Sequence, residues 1–72
     1  MMQAKPQDAA RRATDMLSKS SIRDLRHIRV DETDEALELS GTVRSYYHKQ
    51  LAQETVRSVA SGRQLINRVE VR

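Results

Sequence analysis

The side chains that could act in catalysis or metal binding are few and far apart in the sequence. His27 and His48 are the only histidines, cysteine is absent, and no serine or carboxylate stands at the spacing of a triad or metal site. The acidic run from Asp31 to Glu35 lacks the glycine and the spaced final glutamate of a calcium loop, so we interpret it as a solvated turn. The sequence therefore predicts a non-catalytic protein with no metal site and no cofactor.

A candidate anion-binding site begins where Ser45 can cap a helix. The exposed backbone N–H groups at the positive end of that helix would lie beside cationic side chains. Two adjacent tyrosines have the amphipathic rings that sit at a lipid headgroup boundary, although only one of two neighbouring helical residues is expected to face away from the core. The residues of this candidate surface are Arg44, Tyr46, Tyr47, His48 and Lys49. The alternative is that Tyr47 covers the core edge while the basic residues are ordinary solvated positions.

Arg11 and Arg12, on the first predicted helix, are a second basic feature, which we include in the same candidate anion or lipid-headgroup surface. The apolar stripe of that helix is mostly alanine, which is too weak to anchor the chain in a bilayer unaided. Membrane binding through these residues would be peripheral, salt-sensitive and cooperative with another module.

Composition limits the classes of protein that the chain can belong to. It has 72 residues, which allows one domain that buries only about 60% of its unfolded surface. Its net charge of +3 is spread along the chain, which favours weak attraction to anionic surfaces. The sequence has no apolar run of membrane-spanning length and no secretory signal. We expect a cytoplasmic or peripheral membrane protein, or a periplasmic one if the chain is cut from a longer exported protein.

The apolar periodicity predicts five elements. Residues 1–6 are predicted to be a flexible tail and residues 7–72 a single domain. A helix follows Pro6 and Asp8 and ends at the serines of 18–21, strands are predicted over 25–31 and 36–43, a second helix runs from Ser45 to about Ser61, and a last strand covers 63–72. This order, α-β-β-α-β, predicts an α+β two-layer sandwich, with both helices on one face of a three-stranded mixed sheet.

Three residues have structural interpretations. Gly41, in the inward series with Leu37 and Leu39, is interpreted as leaving room for a helix to pack closely, in preference to starting a phosphate-binding loop. Gly62 is expected in the left-handed region after the second helix. Asn67 is expected to be a buried amide bonded to backbone. In the last strand, Leu65, Val69 and Val71 are predicted to face the helices.

The spacing of these features from about Ala9 to Arg72 resembles the BON family, named from bacterial osmotic-stress and nodulation proteins. The matching residues are the Ile28 and Val30 pair, the series Leu37, Leu39, Gly41 and Val43, then Ala52, and finally Asn67 before Val69 and Val71. The resemblance implies a non-catalytic domain that attaches to phospholipid membranes or to a partner at the cell envelope. It implies the fold more directly than the ligand, because the matched residues determine the fold.

Two other functions stay open at this point. An edge strand or the outer face of the sheet could bind a protein partner or a second copy. Nucleic-acid binding ranks third, because the sequence has no GXXG clamp between helices, no aromatic residue on a predicted strand and no concentrated basic stripe.

Overall fold

The computed structural model describes residues 8–60 and 62–72, so the tail predicted at residues 1–6 lies outside them. The elements in chain order are α1 (Asp8–Ser18), a 3-10 helix (Arg23–His27), β1 (Arg29–Glu32), β2 (Ala36–Ser40), β3 (Thr42–Val43), α2 (Tyr46–Ala60), β4 (Gln64–Asn67) and β5 (Glu70–Val71). The predicted α-β-β-α-β order is confirmed, with β3 extending β2 and β5 extending β4.

The sheet is mixed, with β2 at its centre. β1 pairs antiparallel with β2 as a hairpin, and β4 pairs with β2 in parallel because α2 carries the chain back across the sheet. β3 and β5 continue that parallel pairing at the same offset, since Leu39 is opposite Asn67 and Thr42 is opposite Glu70. The N–H of Glu70 donates to the carbonyl of Gly41 at 2.9 Å and bridges the break between the two segments. The predicted three-stranded mixed sheet is confirmed.

Both helices cover one face of this sheet. Leu37 and Leu39 on β2 point toward them and are fully buried, which is worth about 1.5–3 kcal/mol for each side chain. α1 contributes buried residues at every fourth position, and α2 contributes a wider stripe. The buried helix residues are Ala9, Ala13, Leu17, Ala52, Val56, Val59 and Ala60. The open face carries polar and charged side chains such as Glu38 and Arg68, whose charged atoms are 3.2 Å apart.

The strand predicted over 25–31 starts later than expected. Residues Arg23–His27 form the 3-10 helix, in which the N–H of Leu25 donates to the carbonyl of Ile22 at 3.0 Å. A 3-10 turn directs Leu25 into the core, where it is buried, and the chain becomes extended only from Arg29. The buried residues Leu25 and Ile28 are three positions apart, which is the period of a 3-10 helix, and the alternation of a strand begins only with Ile28 and Val30.

The acidic run is a solvated turn only in part, because Glu32 is the last residue of β1 and faces the helices. Only 1% of its side chain is exposed. Its Oε1 accepts the N–H of Ala10 in the first turn of α1 at 2.9 Å, and Arg63 Nη2 lies 2.7 Å from Oε2. Although no N–H of Arg63 is aligned for a hydrogen bond to Oε2, this contact pairs the two charges. The solvated-turn prediction is therefore wrong for Glu32.

Both glycines of the described residues have positive φ. At Gly41, φ is +137°, and an added Cβ would lie 3.5 Å from Ile28 Cα and 3.7 Å from the carbonyl oxygen of His27. The close neighbour is thus the end of the 3-10 helix and not an α-helix packed on the strand. Gly62 has φ of +82° in open space, and the next residue, Arg63, donates its N–H to the carbonyl of Ala60 at 3.0 Å.

Candidate functional site

The start of α2 is capped by its own sequence. Ser45 Oγ accepts the N–H of His48 at 3.1 Å, and the Ser45 carbonyl accepts the N–H of Lys49 at 3.3 Å. This is the geometry of a helix N-cap, and the prediction for Ser45 is confirmed.

Asp24 adds a carboxylate to this site that sequence reasoning missed. Its Oδ2 accepts the backbone N–H of Arg44 at 2.8 Å and lies 3.3 Å from Nδ1 of His48. Its Oδ1 is 3.9 Å from Nε of Arg44, and only 15% of the side chain is exposed. The Arg44 N–H, with smaller contributions from His48 and the Arg44 charge, lowers the pKa of Asp24 below its usual 3.8, although burial acts in the opposite direction. Part of the cationic character predicted here is therefore neutralised within the chain.

Both tyrosines of the first turn of α2 face solvent. Tyr46 is 63% exposed and Tyr47 is 66% exposed. Gln50 Nε2 donates to the Tyr46 hydroxyl at 2.9 Å, and the Tyr47 ring lies 5.9 Å from that of His48 in a tilted arrangement. The expectation that one of the two rings must face the core is wrong, because neither ring is buried.

The end of the last strand brings a further apolar residue to the same place. Val71 pairs in register with Val43, two residues before Ser45, and β5 contacts α2. Val71 therefore lies on the predicted helix side of the sheet, the side of buried Val43, but it is 42% exposed because β5 is an edge strand. Arg72 donates its N–H to the Val43 carbonyl at 2.9 Å, which sets it beside Arg44 at the same end of the sheet.

We call this region the apical surface. Its members are side chains at the start of α2 and at the end of β5, all exposed except the half-buried Lys49: Arg44, Tyr46, Tyr47, Lys49, Val71 and Arg72. His48 lies behind it, paired with Asp24.

Arg11 and Arg12 do not belong to the apical surface. They line an open groove of about 610 Å³ between α1 and α2, together with Asp15, Met16, Ser58 and Val59. Ser58 is twelve residues beyond Tyr46 on α2, which corresponds to about 18 Å along the helix. The structure therefore separates the two basic features that the sequence analysis grouped as one candidate surface.

Asn67 links the last strand to the first turns of α2. Its Nδ2 donates to the Lys49 carbonyl at 2.8 Å and to Oε1 of Gln53 at 3.3 Å, while its Oδ1 accepts the N–H of Val69 at 3.1 Å. The side chain is half-buried, and its amide bonds to backbone groups of α2 and of the link between β4 and β5. These bonds hold α2 against the strand that carries Val71.

Two kinds of site were not found in residues 8–60 and 62–72. No group of three or more histidine, aspartate or glutamate side chains is arranged to hold a metal ion. No helix in this part of the chain is long and apolar enough to cross a membrane.

The structure is that of a small α+β module with cationic and amphipathic side chains at one end. The model of the BON domain family matches residues 7–72, which is nearly the whole chain, and the chain belongs to this family. BON domains are generally non-catalytic binding domains. A search of the curated proteins returned no significant match.

Proposed function

We propose that this BON domain binds peripherally to anionic phospholipid surfaces through its apical surface. The observation that carries the proposal is the position of Tyr46, Tyr47 and Val71, which are the exposed large hydrophobic side chains of the described residues. All three lie at one end of the molecule, beside the exposed side chains of Arg44 and Arg72. Amphipathic rings flanked by cations suit a headgroup layer, where one end of each ring is wet and the other apolar.

The distribution of charge supports the same end of the molecule. On the open sheet face the arginines are matched by carboxylates, since Arg29 Nε lies 3.3 Å from Asp31 and Arg68 Nε lies 3.2 Å from Glu38. At the apical surface Arg72 Nη2 lies 3.4 Å from Glu70, and the distance from Arg44 Nε to the Asp24 carboxylate is longer, at 3.9 Å, so Arg44 is the less closely paired of these arginines. The open face therefore offers an anionic lipid little net attraction.

The expected affinity is low. Each lysine or arginine near an anionic membrane contributes about 1 kcal/mol, so Arg44, Lys49 and Arg72 together contribute at most about 3 kcal/mol, which the neighbouring carboxylates of Asp24 and Glu70 reduce. A dissociation constant of about 1 mM requires about 4 kcal/mol, which the insertion of the tyrosine rings can complete. We expect binding that weakens strongly with salt and becomes firm only when several domains act together.

Vesicle co-sedimentation tests the proposal. The wild-type chain should pellet with vesicles of phosphatidylcholine plus phosphatidylglycerol, and less with phosphatidylcholine alone. Replacing both Tyr46 and Tyr47 with serine, or Arg44 with glutamine, should weaken pelleting several-fold. The matched control is Arg57→Gln, because Arg57 is an exposed arginine of α2 outside the apical surface, with Nη2 2.6 Å from Glu54. Equal pelleting with both kinds of vesicle, or equal loss in the control, would refute the proposal.

The edge of the sheet favours a second candidate function, the binding of a protein strand. Along residues 64–70 the N–H groups of Gln64, Arg68 and Glu70 donate to carbonyls of the neighbouring segment 35–41, so those of the alternate residues point away from the sheet. Asn67 satisfies one of them, at Val69, and the others can pair with a partner strand or a second copy. Light scattering over a wide concentration range tests self-association, and a mass that stays monomeric throughout would exclude it.

A further inference from the structure

Asp24 places a negative charge at the base of the apical surface, beside Arg44. Its carboxylate is held in position by the Arg44 N–H at 2.8 Å and by the His48 ring at 3.3 Å, and it is largely shielded from water. The next residue, Leu25, is fully buried in the core and holds the 3-10 helix in place against the domain. The charge of Asp24 is therefore a fixed part of the apical surface.

We infer that Asp24 is a specificity-determining residue, which neutralises part of the apical charge so that the domain binds extended anionic lipid surfaces and rejects single soluble phosphates. The inference rests on the proposed function, whose surface it modifies. A membrane presents many headgroups to Arg44, Lys49, Arg72 and the two tyrosine rings at once. An isolated phosphate contacts only the few groups around Arg44. There the carboxylate of Asp24 repels it, because the two charges lie closer together than the distance at which salt screens their repulsion.

The rival interpretation is that Asp24 only holds the 3-10 helix against α2. Asp24→Asn separates the two roles, because an amide oxygen in place of Oδ2 can still accept the Arg44 N–H while the charge is lost. Asp31→Asn is the matched control, since it also removes one negative charge but lies on the open sheet face, where Asp31 pairs with Arg29. If the fold of Asp24→Asn fails, Asp24→Ser keeps a hydroxyl acceptor near the same N–H and replaces it in the test.

The first measurement is the affinity for mixed phosphatidylcholine and phosphatidylglycerol vesicles at several salt concentrations. Removing one negative charge near the lipid should strengthen binding by about fivefold in Asp24→Asn and steepen its salt dependence. Asp31→Asn should change the affinity less than twofold. A purely structural role would leave the salt dependence unchanged, and equal behaviour of the two variants would overturn the inference while the proposed function stood.

The second measurement is an NMR titration with inorganic phosphate at low salt. The wild type should show no saturable shifts at the amides of residues 44–49, and Asp24→Asn should show them. Saturable phosphate binding by the wild type would overturn the inference. If only Asp24→Asn binds vesicles, Asp24 blocks lipid as well as phosphate, and both the inference and the proposed function of the wild type fail. If neither protein binds vesicles or phosphate, both fail.

Discussion

Replacing Glu32 with alanine should destabilise the domain more than any change of a surface charge. Glu32 is 1% exposed and joins three parts of the chain: the first turn of α1 through the Ala10 N–H, β1, and the α2–β4 connection through Arg63. The loss of a capping acceptor costs about 1 kcal/mol. Breaking a buried ion pair costs about 3–5 kcal/mol, but Arg63 is 25% exposed and recovers some hydration, which lowers the total to about 2–3 kcal/mol.

That loss is large for a chain of this size. At about 0.1 kcal/mol per residue, the free energy of unfolding is about 7 kcal/mol, so Glu32→Ala should remove roughly a third of it. The midpoint of thermal unfolding should fall by about 10–20 °C. Urea unfolding followed by circular dichroism measures the free energy of unfolding. Glu54→Ala is the control, because the Glu54–Arg57 pair is exposed and contributes less than about 0.5 kcal/mol.

A double-mutant cycle tests the reason for the effect. If the cost arises from leaving the Arg63 charge without its partner, adding Arg63→Ala to Glu32→Ala should cost less than the sum of the two single substitutions. The reasoning would be refuted if Glu32→Ala lost no more stability than Glu54→Ala, or if the two single losses were simply additive.

Three further predictions follow from single residues. Gly41→Ala should cost about 1–3 kcal/mol in urea unfolding, because φ of +137° strains any other residue, whereas Gly62→Ala in open space should cost about 1 kcal/mol. Asn67→Ala should cost about 1–3 kcal/mol and raise amide exchange at Val69, since that N–H loses its acceptor. The lowered pKa of Asp24 stabilises the fold above its unfolded pKa of about 3.8, and this contribution is lost as pH falls through the lower folded value. The stability of the wild type relative to Asp24→Asn should therefore fall on acidification below pH 3.8, and an NMR titration of Asp24 should give a midpoint below 3.8.

The sequence predicts those features that depend on neighbouring residues. Alternation identified Leu37 and Leu39 as inward, and Ser45 could be recognised as a cap because its partner, His48, is three residues away. The features that the sequence did not predict depend on distant partners. Asp24 bonds a residue 20 positions later and Glu32 bonds a residue 22 positions earlier, so neither role leaves a local pattern.

The apical surface shows the same limit. Its α2 half, including Arg44 and both tyrosines, was found from charge and helix-end chemistry. Its strand half was not found from the sequence, because Val71 and Arg72 are brought to the apical surface only by the parallel register of β5 with Val43. Arg11 was grouped with this site on charge alone, and only the packing of α1 against the far end of α2 separates them.

The central position of β2 has a consequence for the order of folding. Its pairing with β1 closes a turn of three residues, whereas its pairing with β4 must wait for the chain to span the 15 residues of α2. Contacts between residues distant in sequence form slowly, so we expect the hairpin and α2 to form first and β4 with β5 to dock last. Slow folding phases should then correspond to the docking of the C-terminal strand. The apical surface would therefore be complete only after this final step.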